Sequence, residues 1–340
     1  MKKLVALMLV LLVVLLVLVG YDGKKTELLA AVDKKEGAII IKYGTVGPDD
    51  HQYTIASKKF KELIEKKSNG KIQVQLFPNA QLGGEREMAE GVRLGTIQMT
   101  TVTTDGSLPA WVPETQIFSI PYMFRDRAHA YKAMDGKLGA FLAKKFEAAG
   151  FVHLGFVELG WRHFTNSVRE VKTPDDMKAL KIRVQEAPIW FALIKAMNAI
   201  PTPMAFNELY TALQQKVVDG QENPLATIRS MKFYEVQKYL TLDGHTYAPG
   251  STIINPKFFT GLSDADRKLI IDCHNEMKDY QRKVIADKAD GDLKFLKEQK
   301  MIVTEPDRAK FVEATKGIPN QAAVKKLVPT SLVDMVRNIK

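Results

Sequence analysis

A positive charge lies within each of two apolar stretches near the middle of the chain. Arg183 lies between the apolar residues Ile182 and Val184, and Arg162 lies between two aromatic side chains. If either residue faces a polar cleft, its planar guanidinium can hold a carboxylate through two parallel hydrogen bonds. The alternatives are an arginine on a solvated strand face for Arg183 and a surface arginine stacked on its neighbours for Arg162. Both are therefore candidates for binding an anion.

A group of polar side chains occupies position 219 and positions 221–223, and it includes Asn223. The preceding pair Val217-Val218 predicts a short strand, and polar side chains at the end of a strand commonly line the ligand crevice of an α/β sheet. Because Asn223 precedes a proline, its backbone favours an extended conformation. Its amide can donate and accept hydrogen bonds, so Asn223 is a further candidate for ligand binding.

Three other candidates lie elsewhere in the chain. Glu85 opens a predicted helix, where it either stabilises the first turn or accepts hydrogen bonds from ligand hydroxyls and repels a second carboxylate. Phe206 offers a flat apolar wall or belongs to the core. His51 is a plausible residue at the rim of a binding site, as are Tyr53 and Trp190.

Sequence motifs of catalysis and cofactor binding are absent. There is no GxGxxG, Walker A, HExxH, CxxC or GxSxG pattern, and the six histidines show no metal-ligand spacing. Cys273 is the only cysteine, which excludes an intramolecular disulfide. We therefore predict no catalytic residue, no metal and no cofactor. The alternative from another class is an exported enzyme acting on a small carboxylate, with Glu85 or His163 as general base.

The N-terminus predicts export. Lys2 and Lys3 precede an uncharged run at residues 4–20, which is typical of a signal peptide. The run is also close to the minimum length of a spanning helix, so residues 1–21 are a signal peptide or, alternatively, a membrane anchor. A retained anchor would favour a membrane-anchored sensory binding module.

Length and charge narrow the function further. The 340 residues suffice for two domains, and the net charge is +10. A basic balance is compatible with nucleic acid, a membrane surface or acidic small ligands, but the basic residues are scattered instead of forming one tract with interleaved aromatics, which argues against nucleic acid and indicates a solvated basic surface for most of them.

Strand-like and helix-like patterns alternate along the chain, which predicts an α/β fold with parallel strand pairing. A helical pattern without proline runs from Ser263 to about residue 300, far longer than an average helix. The other predicted strands are at residues 38–43, 71–77, 97–102, 163–167, 181–184, 239–245 and 251–254, and the other predicted helices at 53–68, 85–94, from about 188 and from about 205.

Residues 201–228 (PTPMAFNELYTALQQKVVDGQENPLATI) resemble the signature segment of the extracytoplasmic solute-binding proteins of TRAP transporters, of the dicarboxylate-binding type. The resemblance extends over about residues 39–311 and includes SNGKIQVQLFPNAQLGGEREM, GWRHFTNS, LKIRV and KFYEVQKYL in the family's order. It implies a two-lobed fold like that of periplasmic binding proteins, with a ligand cleft between the lobes and a long helix spanning both. The expected lobes are residues 38–159 with 249–290, and 160–248 with 291–325.

The resemblance also implies roles for the candidate residues. Arg183 in LKIRV is similar to the family's carboxylate-binding arginine, and Asn223 to its ligand-contacting asparagine. Glu85 matches a position that often meets the polar end of the ligand. Arg183, Arg162 and Asn223 would come from the second lobe, and Glu85 and His51 from the first.

The implied function is a periplasmic receptor that closes on an organic acid and delivers it to a TRAP-type membrane permease. Two substrate classes remain open at this point. Two arginines favour a C4-dicarboxylate, whereas Glu85 favours a hydroxylated sugar acid.

Overall fold

A computed structural model of the protein describes residues 37–340. The predicted signal peptide or anchor at residues 1–21 lies outside the described residues. Within the described part of the chain, no helix is both long enough and apolar enough to cross a membrane.

One nine-stranded mixed sheet organises the described residues, with the strand order β2-β1-β3-β8-β4-β7-β5-β6 and with β9 paired to β8. The pairs β1–β3, β5–β6, β5–β7 and β8–β9 are parallel, whereas β3–β8, β8–β4 and β4–β7 are antiparallel. The predicted strand–helix alternation is confirmed, but the expectation of parallel pairing is wrong at the centre of the sheet. The strands are β1 Ile39–Gly44, β2 Ile72–Phe77, β3 Met99–Thr103, β4 Val152–Asn166, β5 Lys181–Val184, β6 Ile200–Pro203, β7 Gly220–Pro224, β8 Tyr239–Ile254 and β9 Ile302–Thr304.

Two long strands, β4 and β8, form the centre of the sheet. They have 15 and 16 residues, and they are paired along most of their length. The sequence predicted only pieces of them, because irregularities interrupt the alternation of apolar and polar residues. The register shifts at three points along β4, one of which includes Gly160 with φ +124°. Such bulges bend a strand without ending it.

Helices connect many of the strands, and α9 is the longest helix of the described residues. This 35-residue helix begins after Ser263, whose side chain accepts a hydrogen bond from the amide of Asp266, and it packs against α1, β4 and α7. The long predicted helix is therefore confirmed. The α-helices are α1 Gln52–Lys67, α2 Glu85–Leu94, α3 Arg127–Met134, α4 Lys137–Ala148, α5 Pro188–Ala196, α6 Leu209–Gln214, α7 Leu225–Ser230, α8 Pro256–Thr260, α9 Asp264–Glu298, α10 Arg308–Thr315, α11 Ala322–Leu327 and α12 Thr330–Arg337.

The segment that carries the family signature folds differently from the prediction at one point. Val217 and Val218 form a bend and not a strand, because Lys216 adopts φ +57° and turns the chain after α6. The strand is β7, which consists of the polar residues themselves. All five residues of β7 are buried between β4 and β5. Polar side chains thus lie within the sheet and not beyond its end.

Two glycines provide a matched test of this packing. Gly291 lies within α9, and outside that helix's own backbone no described atom lies within 4 Å of where its Cβ would be. Gly291→Ala is therefore expected to raise the free energy of unfolding by about 0.5–1 kcal/mol through helix propensity. In β7, a Cβ on Gly220 would lie 2.2 Å from the carbonyl oxygen of Thr165. Gly220→Ala is therefore expected to lower the free energy of unfolding by about 1–3 kcal/mol. Urea denaturation midpoints measure both effects, and effects of the same sign would contradict the account.

Candidate functional site

All six predicted site residues line one pocket. Their elements come from distant parts of the chain: His51 precedes α1, Glu85 begins α2, and Phe206 lies just before α6. Arg162, Arg183 and Asn223 belong to β4, β5 and β7. The remaining lining residues are Val46, Tyr53, Thr103, Leu159, Gln185 and Thr227.

Arg162 is paired inside the protein. It is 1% exposed, and its Nε and Nη2 donate to the two carboxylate oxygens of Glu222, the second of these bonds at 2.9 Å. Nη2 also donates to the backbone oxygen of Glu222 at 2.7 Å and to Oδ1 of Asn223 at 3.0 Å. The guanidinium lies 5.2 Å from the ring centre of Trp190. The positive charge of Arg162, a candidate for binding an anion, is therefore largely balanced by Glu222.

The carboxylate of Glu222 also belongs to a chain of buried charged groups. Nε2 of His245 lies 3.2 Å from Oε2 of Glu222, and its Nδ1 lies 2.9 Å from Oδ2 of Asp243. Burial by itself would lower the pKa of His245, but Asp243 and Glu222 outweigh it and raise that pKa to about 9. At neutral pH, His245 is thus an imidazolium between two carboxylates, and the four side chains from Asp243 to Arg162 carry no net charge together.

Arg183, unlike Arg162, has no carboxylate as a hydrogen-bond partner among residues 37–340. It is 3% exposed, and its Nε and Nη2 both donate to the carbonyl oxygen of Met204, at 3.0 and 2.8 Å. Its guanidinium carbon lies 5.8 Å from the ring centre of Phe206. No carboxylate of the described residues forms a salt bridge with it. Burial lowers its pKa to about 10, which still leaves it charged at neutral pH.

Glu85 supplies an acidic group to the same pocket. Its Oε1 accepts hydrogen bonds from the backbone amide and the hydroxyl of Thr103, at 3.0 and 2.9 Å. Burial is the largest effect on Glu85 and raises its pKa, while the bonds from Thr103 and the charges of Arg183 and Arg162 act in the opposite direction. Its second oxygen, Oε2, accepts no hydrogen bond from the described residues and can accept one from a ligand.

His51 is a neutral hydrogen-bonding group. It is 1% exposed, and burial lowers its pKa to about 3. Its Nδ1 accepts a hydrogen bond from the backbone amide of Tyr53 at 3.2 Å, which assigns the proton of the neutral ring to Nε2. His51 can therefore donate one hydrogen bond to an anion or a hydroxyl, but it brings no positive charge.

Asn223 and Phe206 hold their neighbours in place. Nδ2 of Asn223 donates to Gln221 at 2.6 Å, while its oxygen accepts from Arg162. Phe206 is partly buried, with its ring between those of His51 and Phe233 at 6.3 and 6.1 Å. The ring both lines the pocket and packs against the apolar core, so the structure shows both of the arrangements expected for Phe206.

Sequence reasoning missed several lining residues and misplaced two others. Gln185 lies two residues after Arg183, and the two-residue repeat of a strand was a signal for a shared face. With its amide nitrogen toward Glu222, Gln185 donates to Oε1 at 2.9 Å and accepts from Arg162 at 2.8 Å. Trp190 is fully buried behind Arg162 and is not at the rim, and His163 does not line the pocket.

Comparison with known proteins agrees with the resemblance seen in the sequence. Residues 43–326 match the family described as bacterial extracellular solute-binding protein, family 7. The 2,3-diketo-L-gulonate-binding periplasmic protein of Escherichia coli (strain K12) is 37% identical over 300 residues, which cover 88% of this chain and 89% of that protein.

Two solved structures share the fold. A TRAP periplasmic solute-binding protein from Polaromonas sp. JS666, bound to D-erythronate, is 39% identical with a TM-score of 0.85, covering 89% of this chain and 99% of that one. The sugar acid binding protein of Advenella mimigardefordensis, in complex with galactonate, is 34% identical with a TM-score of 0.86, covering 89% of this chain and 97% of that one. The predicted two-lobed α/β fold is confirmed, and these relatives are binding proteins and not enzymes. The chain belongs to family 7 of the bacterial extracellular solute-binding proteins, the periplasmic receptors of TRAP transporters that bind organic acids.

Proposed function

We propose that the protein captures a hydroxylated monocarboxylate, a sugar acid, and delivers it to a TRAP-type membrane permease. The observation that carries this proposal is the difference between the two arginines of the pocket. Arg162 is balanced by Glu222, whereas Arg183 has no acidic partner among the described residues. One guanidinium that forms no salt bridge calls for one carboxylate. A C4-dicarboxylate would bring a second negative charge toward Glu85 instead of toward a free cation.

In the proposed binding mode, the carboxylate of the ligand lies against Arg183 and receives further hydrogen bonds from neutral donors such as His51. The ligand hydroxyls donate to Glu85, the one acidic side chain among the twelve that line the pocket. A hydrogen bond to a charged group contributes about 1.5–3 kcal/mol. Three such bonds are compatible with micromolar binding, which corresponds to about −8 kcal/mol.

The ligands named for the three relatives described above support a sugar acid, whereas another relative, 34% identical, is named for binding C4-dicarboxylates. D-erythronate, galactonate and 2,3-diketo-L-gulonate each combine one carboxylate with several other oxygen atoms. That combination fits a pocket with one free guanidinium and one carboxylate better than a dicarboxylate does.

Capture would proceed by closure of two lobes, at residues 38–159 with 249–290 and at 160–248 with 291–325. Arg183 and Asn223 would then belong to the second lobe, and Glu85 and His51 to the first. Closure requires the ligand to bind the closed form more tightly than the open one. A ligand that contacts both lobes meets this requirement, and the closed form would present the surface that the permease recognises. The run at residues 4–20 would direct export.

Arg183 is the residue whose removal should cost most affinity. Arg183→Ala is expected to weaken binding of D-erythronate at least 100-fold in isothermal titration calorimetry, because the carboxylate loses its charged partner. Arg183→Lys should recover only part of the loss, since an ammonium cannot make the two parallel bonds. Arg93→Ala is the control, because Arg93 lies on the surface beside Glu90. Unchanged affinity in Arg183→Ala, with the melting temperature retained, would refute this binding mode.

Glu85 should discriminate between the two substrate classes. Glu85→Gln is expected to weaken the binding of D-erythronate about tenfold or more and to strengthen the binding of succinate. The substitution removes the negative charge while keeping the shape of the side chain. Since the pKa of Glu85 is raised, lowering the pH through that pKa should weaken D-erythronate binding by the wild type and leave the variant unaffected. Glu62→Gln serves as the control, because Glu62 is exposed on α1 and does not line the pocket. A variant with the same preference as the wild type would exclude this role.

The glycine before α2 tests closure. A Cβ on Gly84 would lie 2.6 Å from Oε2 of Glu87, the end of a flexible side chain that can turn away, and 3.0 Å from Oδ1 of Asn207, which belongs to the other proposed lobe. Gly84→Val is therefore expected to hold the cleft partly open, raising the dissociation rate about tenfold and the radius of gyration of the ligand-saturated protein. Asn207→Gly should restore both values in the double variant. If it restores neither, the contact does not limit closure.

A further inference from the structure

A second cavity adjoins the ligand pocket and shares Glu85, Arg183, Gln185 and Phe206 with it. Arg183 and Gln185 are 3% and 6% exposed, so two buried polar side chains reach the boundary between the two spaces. A molecule held at Arg183 can therefore contact residues of both spaces at once.

The outer cavity has its own charges. Besides the shared residues it is lined by Glu87, Glu186 and Arg86, all of them exposed. Two carboxylates against one guanidinium disfavour an anion, while all three groups can form hydrogen bonds with neutral hydroxyls. The partly buried ring of Phe206 adds an apolar surface against which the carbon chain of a polyol can lie.

We propose that this outer cavity is a subsite for the uncharged, hydroxylated end of a sugar acid of six carbons or more, whose carboxylate is held at Arg183. The inference rests on the proposed function and specifies its substrate class further. The subsite selects against a carboxylate at the far end of the ligand, because such a group would lie among Glu85, Glu87 and Glu186. The protein is thereby expected to prefer aldonates to the corresponding sugar diacids.

Galactonate and galactarate are the probes that test this preference. They have the same six-carbon chain and differ at the far end, which is a hydroxymethyl group in the first and a carboxylate in the second. The wild type is expected to bind galactonate at least tenfold more tightly than galactarate in calorimetry. Glu87→Gln combined with Glu186→Gln should reduce that ratio at least threefold by strengthening galactarate. If the double variant leaves the ratio unchanged, the far end of the ligand does not lie in the outer cavity.

A second variant tests occupancy without changing charge. Ala110 lines the outer cavity from an exposed position and does not line the pocket, so Ala110→Trp fills the cavity without disturbing the core. It is expected to weaken the binding of galactonate at least tenfold and to change the affinity for D-erythronate, which has four carbons, by less than twofold. Ala110→Ser is the control of similar size to alanine.

The outcomes separate this inference from the proposed function. Equal effects of Ala110→Trp on both acids, or no effect on either, would overturn the subsite while leaving the receptor for a sugar acid intact. If the wild type binds neither acid, the proposed function itself fails.

Discussion

The buried pair of Arg162 and Glu222 is the interaction on which the site depends. Removing one partner of such a pair typically costs about 3–5 kcal/mol, because the other charge remains buried without compensation. Here the carboxylate also lies against the imidazolium of His245, which in turn is held by Asp243. These four residues belong to β4, β7 and β8, so the charges join the central strands of the sheet. The arrangement explains how a sheet can have polar side chains at its centre.

In the proposed binding mode, this balance determines which ligand the pocket recognises. Because the positive charge of Arg162 is used within the protein, Arg183 is the pocket arginine that a ligand can neutralise. Nε and Nη2 of Arg183 are held by a single carbonyl oxygen, which fixes the orientation of the guanidinium without cancelling its charge. A buried cation of fixed orientation needs little rearrangement when an anion binds, which reduces the cost of binding.

The sequence predicted single residues and single elements better than it predicted their partners. The bounds of α2, the length of α9 and the presence of all six site residues in one pocket followed from local patterns and from the family resemblance. The pairing of Arg162 with Glu222 did not, because the two residues are 60 positions apart and nothing local connects them. The continuity of β4 and β8 was missed for a related reason. Bulges break the two-residue alternation by which strands are recognised, while pairing with the neighbouring strand continues.

In the proposed binding mode, the two ends of the pocket act at different stages of capture. An anion that enters the open cleft is attracted first to Arg183, and this step recognises little more than a negative charge. Glu85 approaches the ligand only as the lobes close, and the approach is favourable only if the ligand offers hydroxyl donors at that end. A second carboxylate would be repelled at the same point, so it would destabilise the closed form and not the first encounter. Selection among organic acids would therefore arise mainly from the closing step, because the ligand shifts the equilibrium only by its preference for the closed state.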